Sequence, residues 1–190
     1  MNRHPRIPSL PLLCSLIALA AIPLSASARD WQVDAAKSSL TFKGTYQNGP
    51  FDGKFKKFDA AIRMDDADVT KDSFDVKVDL ASVDSGSSER DDTLKTPDFF
   101  DTAKFPQAHF VTQSFGKGAD GGLEAKGTLT IRDQTKPVTL KVKFAASGDT
   151  ATLDVDTTLA RLDYGLGKGG DWADIGKDIP VHGHLVLTGK

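Results

Sequence analysis

Leu123-Glu124-Ala125-Lys126-Gly127-Thr128-Leu129-Thr130-Ile131 places an apolar or small residue at every second position and a polar one between. Val138-Thr139-Leu140-Lys141-Val142-Lys143-Phe144 repeats the rule a few residues later. Successive side chains of a strand point to opposite faces, so each segment has one greasy wall and one wet wall. The same pattern runs through Phe74, Val76, Val78 and Leu80 against Asp75, Lys77 and Asp79. It returns in Leu153, Val155, Thr157 and Leu159 against Asp154, Asp156 and Thr158. Further strands are predicted over residues 38–46, 54–65, 105–115 and 180–188, for a total of about eight. Loops rich in Gly, Asp and Asn separate them at residues 47–53, 65–73, 116–122 and 148–149.

Gaps this short imply antiparallel neighbours joined by hairpins. One-sided strands bury their apolar faces by closing into a barrel or by stacking as two sheets, and closure also removes exposed edges. The expected fold is therefore all-β, an antiparallel barrel of about eight strands, whose interior side chains fill or which holds one small ligand. One segment breaks the rhythm. Ser87-Ser88-Glu89-Arg90-Asp91-Asp92-Thr93-Leu94-Lys95 reads as a short helix, with Ser88 and Asp91 as a capping box and Lys95 ending it before Pro97. That helix follows the third or fourth strand and sets Phe99-Phe100 over one mouth of the barrel.

The N-terminal stretch has the shape of an export signal. Arg3, His4 and Arg6 precede an apolar run from Ile7 to Leu24, which ends at the small-x-small site Ala26-Ser27-Ala28. Pro8, Pro11 and Pro23 interrupt the run, which disfavours a retained spanning helix. Residues 1–28 are accordingly expected to be removed, leaving one domain over 29–190 with no stable membrane anchor. The single cysteine, Cys14, lies within the removed segment, so stability rests on burial and not on disulfides. The formal charge is −2 before cleavage, and loss of Arg3 and Arg6 makes the remainder more acidic. A phosphate-tracking surface carries a cationic excess, so nucleic acid is not an expected partner, nor is an anionic membrane held by charge alone.

Residues 89–106, Glu-Arg-Asp-Asp-Thr-Leu-Lys-Thr-Pro-Asp-Phe-Phe-Asp-Thr-Ala-Lys-Phe-Pro, resemble the central signature of the YceI-like, polyisoprenoid-binding proteins. Supporting blocks are Trp31-Gln32-Val33-Asp34, Ser39-Leu40-Thr41-Phe42, Gly53-Lys54-Phe55, Gly127 to Ile131, Thr135-Lys136-Pro137-Val138 and Arg161-Leu162-Asp163-Tyr164-Gly165. The resemblance implies a lipocalin-like barrel, exported to the bacterial periplasm, whose apolar tunnel holds an isoprenoid or comparable lipid. It implies no enzyme activity, and no cofactor is expected. Two stretches depart from many similar proteins: Lys43-Gly44-Thr45-Tyr46, where a histidine is common, and the glycine-rich loop 165–172.

A lipid tail needs a continuous apolar lining, since each buried methylene contributes about 0.8 kcal/mol without directional preference. The candidate contacts are Phe42, Phe55, Phe74, Val76, Val78, Phe99, Phe100, Phe110, Leu129, Ile131, Leu140, Val142, Leu153 and Val155. Each taken singly also reads as ordinary core. A phosphate head would call on Arg90, Lys95 or Arg161, arginine being suited to bidentate contact. The plainer reading leaves Arg90 as a helix-surface charge and pairs Arg161 with Asp163.

His182 and His184 share a strand face and could hold a metal, with His109 joining only if the barrel brings it there; a solvent-facing pair is the plainer reading, and no metal ligand is assigned. The loop 165–170 lacks the order of a P-loop. Neither a Gly-x-Ser-x-Gly elbow nor a His-Glu-x-x-His pair is present, and hydrolase chemistry is a residual option. The main alternative to a lipid carrier is a side-chain-filled barrel that docks another protein through loops 47–53 and 162–175. A homodimer stays open.

Overall fold

The computed structural model describes residues 28–65 and 68–190. Its strands are β1 (Arg29–Val33), β2 (Ser39–Tyr46), β3 (Gly49–Phe55), β4 (Phe58–Met64), β5 (Ser73–Asp79), β6 (Val83–Asp84), β7 (Gln107–Lys117), β8 (Leu123–Ile131), β9 (Gln134–Ser147), β10 (Thr150–Ala160) and β11 (Asp178–Gly189). These form eight ribbons. β1 and β2 lie one after the other along β11, with Val33 opposite Leu187 and Ser39 opposite His184. β3 runs on into β4, and β5 into β6. Each ribbon pairs antiparallel with its sequence neighbour, and the β1–β11 ladder closes the ring. The expected eight-stranded antiparallel barrel is the fold of this chain.

Several boundaries differ from the sequence reading. β1 lies ahead of the first expected strand, and the expected strand 54–65 is the end of β3 followed by β4. Residues 47–53 are not a loop. Gln47 and Asn48 both adopt positive φ, 50° and 63°, which makes a two-residue turn matched to the twist of the flanking strands. Pro50 is accommodated inside β3 because β3 pairs on its far side only at Lys54 and Phe55, leaving an edge where no ladder donor is needed. Gly53 sits opposite Phe42, and a Cβ there would run into the Phe42 ring, so the glycine is the floor on which that ring lies.

The helix α1 (Ser88–Lys95) forms where expected, after the third ribbon, but its cap is one residue earlier. Ser87 Oγ accepts from Arg90 N, while the Asp91 carboxylate accepts from both N and Oγ of Ser85 and ties the helix to the end of β6. The helix has no fully buried residue and lies across one end of the barrel. At that end Phe99, Phe100, Leu80, Ala108, Ile131, Tyr164 and Leu166 form one apolar cluster. At the opposite end Trp31, Met64, Phe115, Val142, Ala151 and Leu187 pack solid, with Trp31 edge-on to Phe144 at 5.4 Å. One mouth is therefore plugged by side chains, and the other is roofed by α1 and the segment 161–176.

Candidate ligand cavity

The barrel is hollow between the plug and the roof. A cavity of about 520 Å³ lies there, within the range of small-molecule sites. Every ribbon contributes inward residues to its wall. Of the residues singled out from the sequence, Phe42, Phe55, Phe74, Val76, Val78, Phe99, Phe100, Phe110, Leu129, Ile131, Leu140, Leu153 and Val155 line it, as do Arg90 and Arg161. Val142 does not. It is correctly inward but sits within the packed end, because alternation assigns a face and not a depth along the barrel axis.

The sequence reading missed Leu40, Phe51, Phe58, Ile62, Val181 and Leu185, which also line the cavity. The last two stand at alternate positions of an expected strand and could have been found by the same rule. Phe51 was hidden by the assignment of 47–53 to a loop. Tyr164, Leu166, Trp172 and Ile175 come from the roof, whose irregular backbone has no period to read.

Arg161 does not act as sketched above. Its guanidinium is buried, and all five N–H donors go to main-chain carbonyls. Nε donates to Gly176 O at 2.9 Å, Nη1 to Leu166 O and Gly167 O at 2.6 and 2.7 Å, and Nη2 to Trp172 O and Ile175 O, both at 3.0 Å. No donor is left for a phosphate or for Asp163. Burial pushes this guanidinium down from its ordinary value, yet it stays a cation and organises the roof around itself. The roof is also stitched to its surroundings by Trp172 Nε1 donating to Asp98 Oδ2 at 3.1 Å, by Gly167 N donating to Asp98 O, and by Phe99 edge-on to Trp172 at 5.0 Å.

Arg90 stands at the mouth with its guanidinium 4.1 Å from the Phe51 ring centroid. Nε and Nη2 donate to Ser85, which leaves only Nη1 uncommitted among the described residues. Exposed Glu89 and Tyr46 line the same opening, so the mouth is not a cationic pocket. Lys95 pairs with Asp92 at 3.4 Å and lies away from the cavity wall.

Tyr164, buried at the cavity wall, hydrogen-bonds to nothing among the described residues, and burial together with the Asp163 charge pushes its phenol up to about 12. Below pH 10 the phenol is neutral whether folded or unfolded; above it the unfolded chain ionises first, so the unfolded state binds fewer protons and stability falls toward pH 12. Tyr164→Phe should remove about 2 kcal/mol of that alkaline loss. Urea melts of both proteins at pH 9 and 11.5 test this, and parallel losses would refute it.

The histidines face outward and pair with acids across the sheet. His182 Nδ1 lies 2.8 Å from Asp156 Oδ1, and His184 Nδ1 lies 2.6 Å from Asp154 Oδ1. His109, on β7, pairs with Asp75 at 2.7 Å and is not brought to them. Among the described residues no group of three or more His, Cys, Asp or Glu converges as a metal site.

Comparison with known proteins places these features. The chain is 32% identical over 177 residues to a UPF0312 protein of Vibrio cholerae serotype O1, covering 88% of this chain and 94% of that one. It is 32% identical over 184 residues to a UPF0312 protein of Shewanella sp. (strain ANA-3), covering 90% and 96%. Among solved structures it resembles Burkholderia cenocepacia BcnA, with a TM-score of 0.77 and 31% identity over 83% of this chain and 100% of that one. It shares its fold with a polyisoprenoid binding domain from Saccharophagus degradans, described as implicated in plant cell wall breakdown, at a TM-score of 0.63 and 18% identity over 84% and 98% of the two chains. The family profile of the YceI-like domain matches residues 31–187, and the chain belongs to that family.

Proposed function

We propose that this protein is an exported, non-enzymatic carrier that sequesters or transports a long-chain apolar ligand, a polyisoprenoid or similar lipid, inside its barrel. The observation that carries the reading is the cavity of about 520 Å³, lined predominantly by apolar side chains and plugged at one end. Such a space rewards a hydrocarbon tail at about 0.8 kcal/mol per buried methylene and offers a small polar solute little to bond. A related fold whose described role is polyisoprenoid binding supports the ligand class. The competing reading, a filled barrel that docks another protein, needs a solid centre, and the cavity weighs against it. Export rests on the N-terminal sequence and the periplasm on the family resemblance; residues 1–27, including Cys14, lie outside the described residues.

Native mass spectrometry of protein purified from the periplasm, followed by organic extraction, tests the proposal. The expected result is a mass increment that extraction removes and that is recovered as lipid. Protein of bare polypeptide mass that also fails to take up added polyprenol would sink it.

A further inference from the structure

The barrel wall is split. β2 pairs with β3 as far as Leu40↔Phe55, and the β1–β4 ladder resumes at Trp31↔Ile62. Between those rungs, residues 32–39 on one lip and 56–61 on the other have no ladder partner across the gap. Beyond the gap the second lip is closed, through Asp79 N donating to Lys57 O and Lys56 N donating to Ser82 O. A groove on the outer surface opens at this level. Its walls include Ser39, Leu40, Phe55 and Phe58, and the same four residues line the central cavity. The oily interior and the outside thus share a wall of three apolar side chains and one serine.

The outer rim of the groove is cationic in a protein that is acidic overall. Lys54, Lys56, Lys57 and Lys77 line it against Asp59 and Asp79. Asp84 draws Lys56 to 3.0 Å and Lys54 to 3.9 Å, while Lys57 and Lys77 form no ion pair among the described residues. The two arginines that the sequence offered for a head group are poorly placed for one, since Arg161 is saturated by carbonyls and Arg90 keeps a single uncommitted nitrogen beside Glu89.

We propose that this split is a lateral portal, in which Lys57 and Lys77 hold the anionic head, carboxylate or phosphate, of an amphiphile whose tail passes between Leu40, Phe55 and Phe58 into the cavity. The proposal rests on the carrier reading above and adds to it where the head sits and what charge it bears. Both lysines are exposed, so each contact is screened and modest, and the pair together is worth about tenfold in affinity.

The test is equilibrium binding of three ligands with one sixteen-carbon tail, namely palmitate, hexadecyl phosphate and 1-hexadecanol, to the wild-type protein and to Lys57→Gln/Lys77→Gln. Both substitutions lie on the surface and leave the fold intact. The wild type is expected to bind at least one of the two anions about tenfold more tightly than the alcohol, a preference that shrinks at high salt. Which anion leads identifies carboxylate or phosphate as the head. In the double variant the anions and the alcohol are expected to bind within about twofold of each other. An alcohol that binds as well as both anions, or an anion preference that survives the double substitution, overturns the portal while leaving the carrier intact. Failure of all three to bind overturns the portal, whose path must admit a sixteen-carbon tail, while the carrier stands or falls by the polyprenol test above.

Discussion

Arg161→Met is expected to lower the unfolding free energy by ~3–5 kcal/mol, the range seen when a buried charged hub is removed and its partners are left unpaired. Five main-chain carbonyls, at Leu166, Gly167, Trp172, Ile175 and Gly176, would each lose this cationic donor at once, and Trp172 O would keep only the bond from Ile175 N. Each such bond to a cation contributes about 1.5–3 kcal/mol, but the roof can open to water, so the total stays well below the sum. In a domain of this size the loss corresponds to a fall in Tm on the order of 10 °C. Arg161→Lys should recover little, because an ammonium has three donors on a flexible stem where the site is shaped for a five-donor fork. Hydrogen exchange adds a local readout, with amides of residues 161–176 expected to lose protection before those of the barrel strands. A loss under about 1 kcal/mol, or uniform deprotection, would show that the roof is held by its apolar contacts instead.

Ala60→Trp is expected to abolish lipid uptake while leaving the barrel folded. Ala60 is buried on β4 and lines the cavity, so an indole there grows into empty space instead of into packed atoms. Overpacking normally costs about 1–3 kcal/mol, and the void relieves most of that. Displacing even three methylenes of a bound tail costs about 2.4 kcal/mol, and affinity should fall by at least about fiftyfold. Ala61→Trp is the control, because the next residue of the same strand is exposed on the outer face and should bind lipid as the wild type does. Full uptake by Ala60→Trp would mean that the ligand does not occupy this part of the cavity.

The candidate site was legible to the extent that it obeys a period. Leu129 with Ile131, Leu153 with Val155, and Phe74 with Val76 and Val78 were assigned to one face by alternation alone, and all of them line the cavity. The helix was legible through its polar first turn and its proline stop, though Ser87 and not Ser88 is the cap. Illegible were the features that depend on remote partners. Nothing around Arg161 announces that five carbonyls will converge on it, and nothing around Phe58 announces a break in the wall.

Local chemistry by itself determined which residues face inward, that the strands are antiparallel neighbours, and that one face of every strand must be hidden from water, since these follow from the two-residue repeat and from short turns. Closure of the ring through β1 and β11, the depth at which Val142 joins the plug while Val155 borders open space, the commitment of Arg161 to the main chain, and the gap between Leu40 and Phe58 were decided only in three dimensions. The reason is physical: alternation fixes the direction of a side chain relative to its own strand, whereas register, barrel curvature and the meeting of distant loops set how far along the axis it lies and what stands opposite it.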